Sequence, residues 1–207
     1  MEVDEIVLPA RSDAEKLVFI FHGYGADKND LQFVGEAFAK SLPTAEIHLP
    51  NGFEVCDEGF GRQWFALEGN DVNNWREAFE RGVPNIISYV DSVISAKKLI
   101  YSDTVIAGFS QGAIIALSLG LKYGVKAVVA FSGLLLSPGL WLMERKNTKV
   151  LLTHGEMDTV IPFSAMQLTE EALNNVGISV QTVASPNTGH SIDAYMLAQT
   201  VDFLREL

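Results

Sequence analysis

The stretch TVIAGFSQGAIIALSLGLKY, residues 104–123, decides the fold. Thr104 to Ala107 is a short apolar run suited to a buried strand, and Gln111 to Tyr123 repeats apolar residues at three- and four-residue intervals, the period of a helix. Between them lies Gly108-Phe109-Ser110-Gln111-Gly112, a G-x-S-x-G pentapeptide in the strand-to-helix setting that a nucleophile elbow requires. In so sharp a turn, side chains at positions 108 and 112 would collide with neighbouring backbone. Ser110 is then expected in a strained conformation, its hydroxyl above the C-terminal edge of the sheet, beside a helix N-terminus that favours developing negative charge. A glycine-rich turn with a capping serine is the plain alternative for the pentapeptide alone.

Outward from this centre, short apolar runs alternate with helical segments. Further strand candidates are Leu17 to Phe21, Ala45 to Leu49, Val125 to Phe131, Val150 to Thr153 and Ser179 to Ala184. Further helix candidates are Asp30 to Ser41, Ser164 to Val176 and Ile192 to Leu207. The alternation predicts an α/β fold, a mostly parallel central sheet flanked by helices. Trp75 to Leu99 also reads as helical, but Gly82-Val83-Pro84 predicts a kink or restart and hence two pieces. Pro50 to Asn74 has no clear period, and its aromatic residues Phe53, Phe60, Trp64 and Phe65 predict an ordered functional loop.

With 207 residues, the chain is expected to form a single domain, residues 1–207. A composition of 48% hydrophobic and 20% charged residues supports a sizeable core. The formal charge of −11 disfavours nucleic acid as a partner, because binding phosphates needs a basic patch. Met1 to Asp13 carries acids and lacks the basic start and apolar run of a secretory signal, which predicts a cytoplasmic protein. The lone Cys56 excludes an intramolecular disulfide, and four scattered histidines offer no sequence-spaced metal site. The most apolar region, Val105 to Met143, is interrupted by Lys122, Lys126 and several glycines, so no stable membrane insertion is expected.

A serine hydroxyl needs a base to take its proton, and the base needs a carboxylate to orient it. In α/β-hydrolases the chain order is Ser, acid, His. Only His154 and His190 follow Ser110. His154 ends a strand candidate and leaves no acid-bearing strand end before it, whereas His190 follows the last strand candidate and a glycine, so His190 is the predicted base. Asp158, in the loop after Val150 to Thr153, is the predicted acid, with Glu156 and Asp193 as competitors. Oxyanion donors are expected at the Gln111 N–H and, after the early strand, at the Tyr24 N–H within His22-Gly23-Tyr24-Gly25.

Taken together, His22-Gly23-Tyr24-Gly25-Ala26-Asp27, Gly108-Phe109-Ser110-Gln111-Gly112, His154-Gly155 with Asp158 and Pro162, and Gly189-His190 resemble the phospholipase/carboxylesterase family, which includes acyl-protein thioesterases. The similarity runs from about Leu17 to the C-terminus, and Arg62-Gln63-Trp64-Phe65 looks like the family's aromatic segment beside the active site. The resemblance implies an α/β-hydrolase fold without a large lid domain, acting on esters or thioesters, lysophospholipids or acylated proteins among them. Gly112-Ala113 departs from a common glycine pair, and Gly155-Glu156-Met157-Asp158 from an aspartate directly after the glycine. Tyr24 stands where the eukaryotic thioesterases carry leucine, which is more like the bacterial carboxylesterase branch.

The expected chemistry is cofactor-free hydrolysis of short- to medium-chain acyl esters or thioesters, small-molecule or lipid, through an acyl-enzyme on Ser110. Trp64, Phe65, Leu134 and Leu135, with Trp141, are candidate lip positions for the acyl group, and core packing is the competing role for each. Lysophospholipase or acyl-protein thioesterase activity stays open, and so does a homodimer. A cysteine-nucleophile dienelactone hydrolase mismatches Ser110, a non-catalytic ligand binder would be expected to lack a member of the triad, and a serine peptidase would need the same triad.

Overall fold

The computed structural model describes residues 3–56, 59–67, 69, 72–136 and 147–207. Their centre is a seven-stranded sheet in the order β1-β3-β2-β6-β7-β8-β9. The strands are β1 (Glu5–Leu8), β2 (Lys16–Phe21), β3 (Ala45–Pro50), β6 (Thr104–Phe109), β7 (Ala127–Phe131), β8 (Lys149–Gly155) and β9 (Val180–Ser185), and β4 (Glu54–Val55) pairs with β5 (Arg62–Gln63) in a small separate sheet. Only β1 runs antiparallel in the main sheet, paired with β3 at its edge. Helices α1 (Gln32–Ser41) and α5 (Ala194–Arg205) cover one face, and α2 (Val72–Lys97), α3 (Gln111–Tyr123) and α4 (Ser164–Asn175) cover the other.

The alternation of side chains along a strand explains this layering. In β2, Val18 and Ile20 pack with Val34 and Phe38 of α1, while Leu17, Phe19 and Phe21 pack with Phe79 and Ile86 of α2. Both sides of the central strands are therefore apolar, which is why they read as continuous hydrophobic runs. The edge strand β1 is half-exposed and was not foreseen; His48 of β3 ties it in through Nδ1 to Glu5 at 2.8 Å, with Tyr89 donating to the same carboxylate.

The expected break at Gly82-Val83-Pro84 is not there: α2 runs unbroken from Val72 to Lys97 with Pro84 inside it. A proline inside a helix costs about 3 kcal/mol. Phe79, Ile86 and Val90, on either side of it, are fully buried against the same face, and each such side chain contributes about 1.5–3 kcal/mol. Burial of one continuous stripe outweighs the local penalty. No helix among the described residues is long and apolar enough to cross a membrane.

Candidate active site

The site forms at the C-terminal ends of β6, β8 and β9. At the end of β6 the chain turns directly into α3, and Ser110 adopts φ 54° and ψ −114°, a strained conformation for a residue with a side chain. Only glycine fits on either side of it. A Cβ at Gly108 would lie 2.2 Å from the Gly112 carbonyl oxygen, and one at Gly112 would lie 1.9 Å from the Phe21 oxygen. The Ser110 N–H donates to Phe131 O at 2.9 Å, tying the elbow to β7.

Ser110, His190 and Asp158, distant in sequence, meet here. His190 Nε2 lies 3.0 Å from Ser110 Oγ, and His190 Nδ1 lies 2.7 Å from Asp158 Oδ2. The ionised Asp158 can only accept, so Nδ1 carries the proton and Nε2 is left to accept from the serine hydroxyl. The His190 ring rests on Phe109, with centroids 4.8 Å apart.

Asp158 is buried, and its side chain has no solvent exposure. Burial alone would push its pKa up, but the bond from His190 and the backbone N–H groups of Ile161 and Val160, the latter two both at 2.9 Å to Oδ1, hold it below the usual carboxylate range. His154 supports the same turn by donating from Nε2 to Ile161 O at 2.8 Å, and that nitrogen lies 3.3 Å from Asp158 Oδ2. The competing acids lie elsewhere in the network: Glu156 is exposed, and Asp193 caps α5 by accepting from Met196 N–H at 2.7 Å.

The loop after β2 lies against the elbow. A Cβ at Gly23 would be 3.4 Å from Ser110 Cβ, which places the segment around Tyr24 beside Ser110. Gln111 N–H occupies the first turn of α3, where backbone donors have no intrahelical acceptor. His22 is buried and neutral: it donates from Nδ1 to Gly23 O at 2.7 Å and accepts at Nε2 from Gly52 N–H at 2.9 Å, while burial pushes its pKa down.

The expected lip at Trp64 and Phe65 is not formed, because both side chains are core. Trp64 packs edge-on against Phe21 and Phe53 and donates from its indole to His22 O at 3.0 Å, and Phe65 packs on Phe79. Gln111 holds this segment with its side chain, accepting from Trp64 N–H at 2.9 Å and donating to Phe65 O at 2.7 Å. Sequence reading assigned Gln111 only a backbone role, and a polar residue at the start of an apolar helix is the signal for the second one.

Leu134 and the buried Leu135 border a cleft of about 220 Å³ with Ala165, Leu168, Thr169 and Ala172, and Trp141 lies outside the described residues. A second cleft, of about 300 Å³, opens directly beside His190 between Asp30, Phe33, Phe109 and Ile192. Apart from His190 and Phe109, its residues were not singled out as site residues in the sequence. The signal was Phe33, an apolar residue on the outward side of α1 that stays 46% exposed.

A parallel sheet, a serine elbow and the Ser110–His190–Asp158 geometry define an α/β-hydrolase. The family model described as Phospholipase/Carboxylesterase matches residues 2–207, and the chain belongs to that family of carboxylic ester hydrolases. It is 31% identical over 196 residues to esterase YpfH of Escherichia coli, covering 93% of this chain and 83% of that protein. It is 30% identical over 159 residues to acyl-protein thioesterase 1 of Neurospora crassa, covering 69% of this chain and 62% of that protein. The crystal structure of esterase PE8 superposes with a TM-score of 0.91 at 34% identity, covering 100% of this chain and 99% of that one.

Proposed function

We propose that the chain hydrolyses short- to medium-chain carboxylic esters and thioesters with Ser110 as nucleophile, His190 as general base and acid, and Asp158 as the residue that fixes the imidazole tautomer. The observation that carries this reading is the unbroken chain of contacts from Ser110 Oγ to His190 Nε2 at 3.0 Å and from His190 Nδ1 to the buried Asp158 at 2.7 Å. Ser110 Oγ attacks the acyl carbonyl as His190 takes its proton, and the N–H groups of Gln111 and Tyr24 are the donors assigned to the oxyanion. His190 then protonates the leaving alcohol or thiol. Water, deprotonated by the same imidazole, releases the acid from the acyl-enzyme. Every proton in this cycle is handled by one side chain, and no step calls for a cofactor.

The test is labelling with a fluorophosphonate, which traps a serine only when its neighbouring base has activated it. One equivalent is expected on Ser110 alone. Peptide mapping that put the label on another residue would overturn the assignment.

Substrate length is read from the apolar cleft beside Leu134 and Leu168. Each buried methylene is worth about 0.8 kcal/mol, so kcat/KM should rise by about fourfold per carbon until the cleft is filled, then level off at medium length. A series of p-nitrophenyl esters from acetate to palmitate, below and above their aggregation limits, measures this. A maximum at palmitate with a jump at the aggregation limit would contradict an open groove.

A further inference from the structure

We infer that Asp193 is a positioning residue for His190: its carboxylate clamps both ends and the middle of the loop that carries the base. This inference rests on the proposed role of His190. The loop leaves β9 at Ser185 and enters α5 at Ala194. Asp193 Oδ2 accepts from the Ser185 hydroxyl, where the loop begins, and from the Thr188 hydroxyl at 2.5 Å, two residues before His190. Oδ1 accepts from Met196 N–H at 2.7 Å, where the loop ends. The two hydroxyls lie 2.9 Å apart, so three groups close on one oxygen pair.

The clamp reaches the acid as well. Thr188 O accepts from Met157 N–H at 3.0 Å, and Ser185 O accepts from Glu156 N–H at 2.9 Å, so the loop held by Asp193 is bonded to the turn that bears Asp158. Burial alone would push the Asp193 pKa up, but the Met196 N–H, both hydroxyls and the Tyr195 N–H hold it below the usual carboxylate range. An ionised carboxylate has acceptor lone pairs on both oxygens, which suits this set of donors. The His190 ring lies tilted against Phe109, and among the described residues its nitrogens reach Ser110 and Asp158, so its placement depends on the backbone beneath it.

The cap and the clamp are separable at the hydroxyls: Ser185→Ala with Thr188→Val removes both donors to Oδ2 and keeps the Met196 N–H on Oδ1, whereas an asparagine at 193 would cap through its oxygen and turn its NH2 to hydroxyls that also accept. The double variant Ser185→Ala with Thr188→Val should leave KM unchanged, while kcat falls between about tenfold and 10², the range expected for a misplacement of up to an ångström. The fluorophosphonate labelling rate should fall in parallel. Asp193→Ala should lose kcat similarly, and adding it to the double variant should cost little more kcat, whereas Asp193→Asn, whose NH2 can donate to both hydroxyls, should retain more kcat than Asp193→Ala. Parental kcat in the Ser185→Ala, Thr188→Val variant, or losses that multiply when Asp193→Ala is added to it, would overturn the clamp. Ser110→Ala, measured alongside, separates the two readings: if it stayed active the triad would have failed, and if it were inactive while the Ser185→Ala, Thr188→Val variant stayed fully active only the clamp would have failed.

Discussion

Ser110→Ala should fold like the parent chain and hydrolyse esters at a rate near background. The hydroxyl has one hydrogen-bond partner, His190 Nε2, and the 17% exposed imidazole can satisfy that nitrogen with water, so the substitution leaves no buried group unpaired. Alanine also occupies the positive-φ position with the same Cβ as serine, and the elbow keeps its strain unchanged. Chemistry is affected far more than stability. Without Oγ no acyl-enzyme can form, and only the oxyanion donors and substrate binding remain, which in comparable triads retain a small part of the acceleration. Purified variant and parent would be compared on p-nitrophenyl butyrate, with thermal unfolding run in parallel. Residual activity above about a tenth of the parent, with unfolding unchanged, would remove Ser110 from the mechanism.

What the sequence made legible and what it hid follow from the range of the interactions involved. The elbow is a local event: Gly108, Ser110 and Gly112 are dictated by steric conflicts within a few residues and against β2, so five letters were enough to place it. The strands covered on both faces were legible for a similar reason, since their composition alone makes them apolar. Pro84 misled because its local preference competes with a stripe of buried residues that becomes visible only once α2 lies on the sheet. Trp64 and Phe65 stood open between acyl lip and core. Their position in an aperiodic loop suggested solvent and substrate, yet the Gln111 side chain, Phe21 and Phe79 draw them into the core. Asp193 could be weighed as an acid competing for His190 or as a cap of the final helix, but not as a clamp, because the hydroxyls it binds gain meaning from the fold of the 185–193 loop.

Asp158→Asn should lower kcat by a factor on the order of 10⁴ while leaving substrate affinity nearly intact. The carboxylate is asymmetric in its surroundings. Oδ1 accepts from the Val160 and Ile161 N–H groups, and Oδ2 accepts from His190 Nδ1 and faces His154 Nε2 at 3.3 Å. In an asparagine the two backbone donors select the amide oxygen for the Oδ1 position, which leaves the amide NH2 pointing at His190. A donor there requires Nδ1 to accept, so the ring proton moves to Nε2, and the atom that should take the serine proton now carries one of its own. Geometry survives while the tautomer is wrong. The charge also has a stability signature. Because the folded pKa of Asp158 lies below its unfolded value, the carboxylate contributes stability that is complete above the usual carboxylate range and is lost as pH falls through the folded value. The stability gap between parent and Asp158→Asn should therefore be open at neutral pH and close below about pH 4. Glu156→Gln should change neither quantity appreciably, since Glu156 is exposed and touches the site only through its backbone. Steady-state kinetics and pH-resolved unfolding on these two variants decide the matter. If Glu156→Gln lost as much kcat as Asp158→Asn, the carboxylate orienting His190 would be the wrong one.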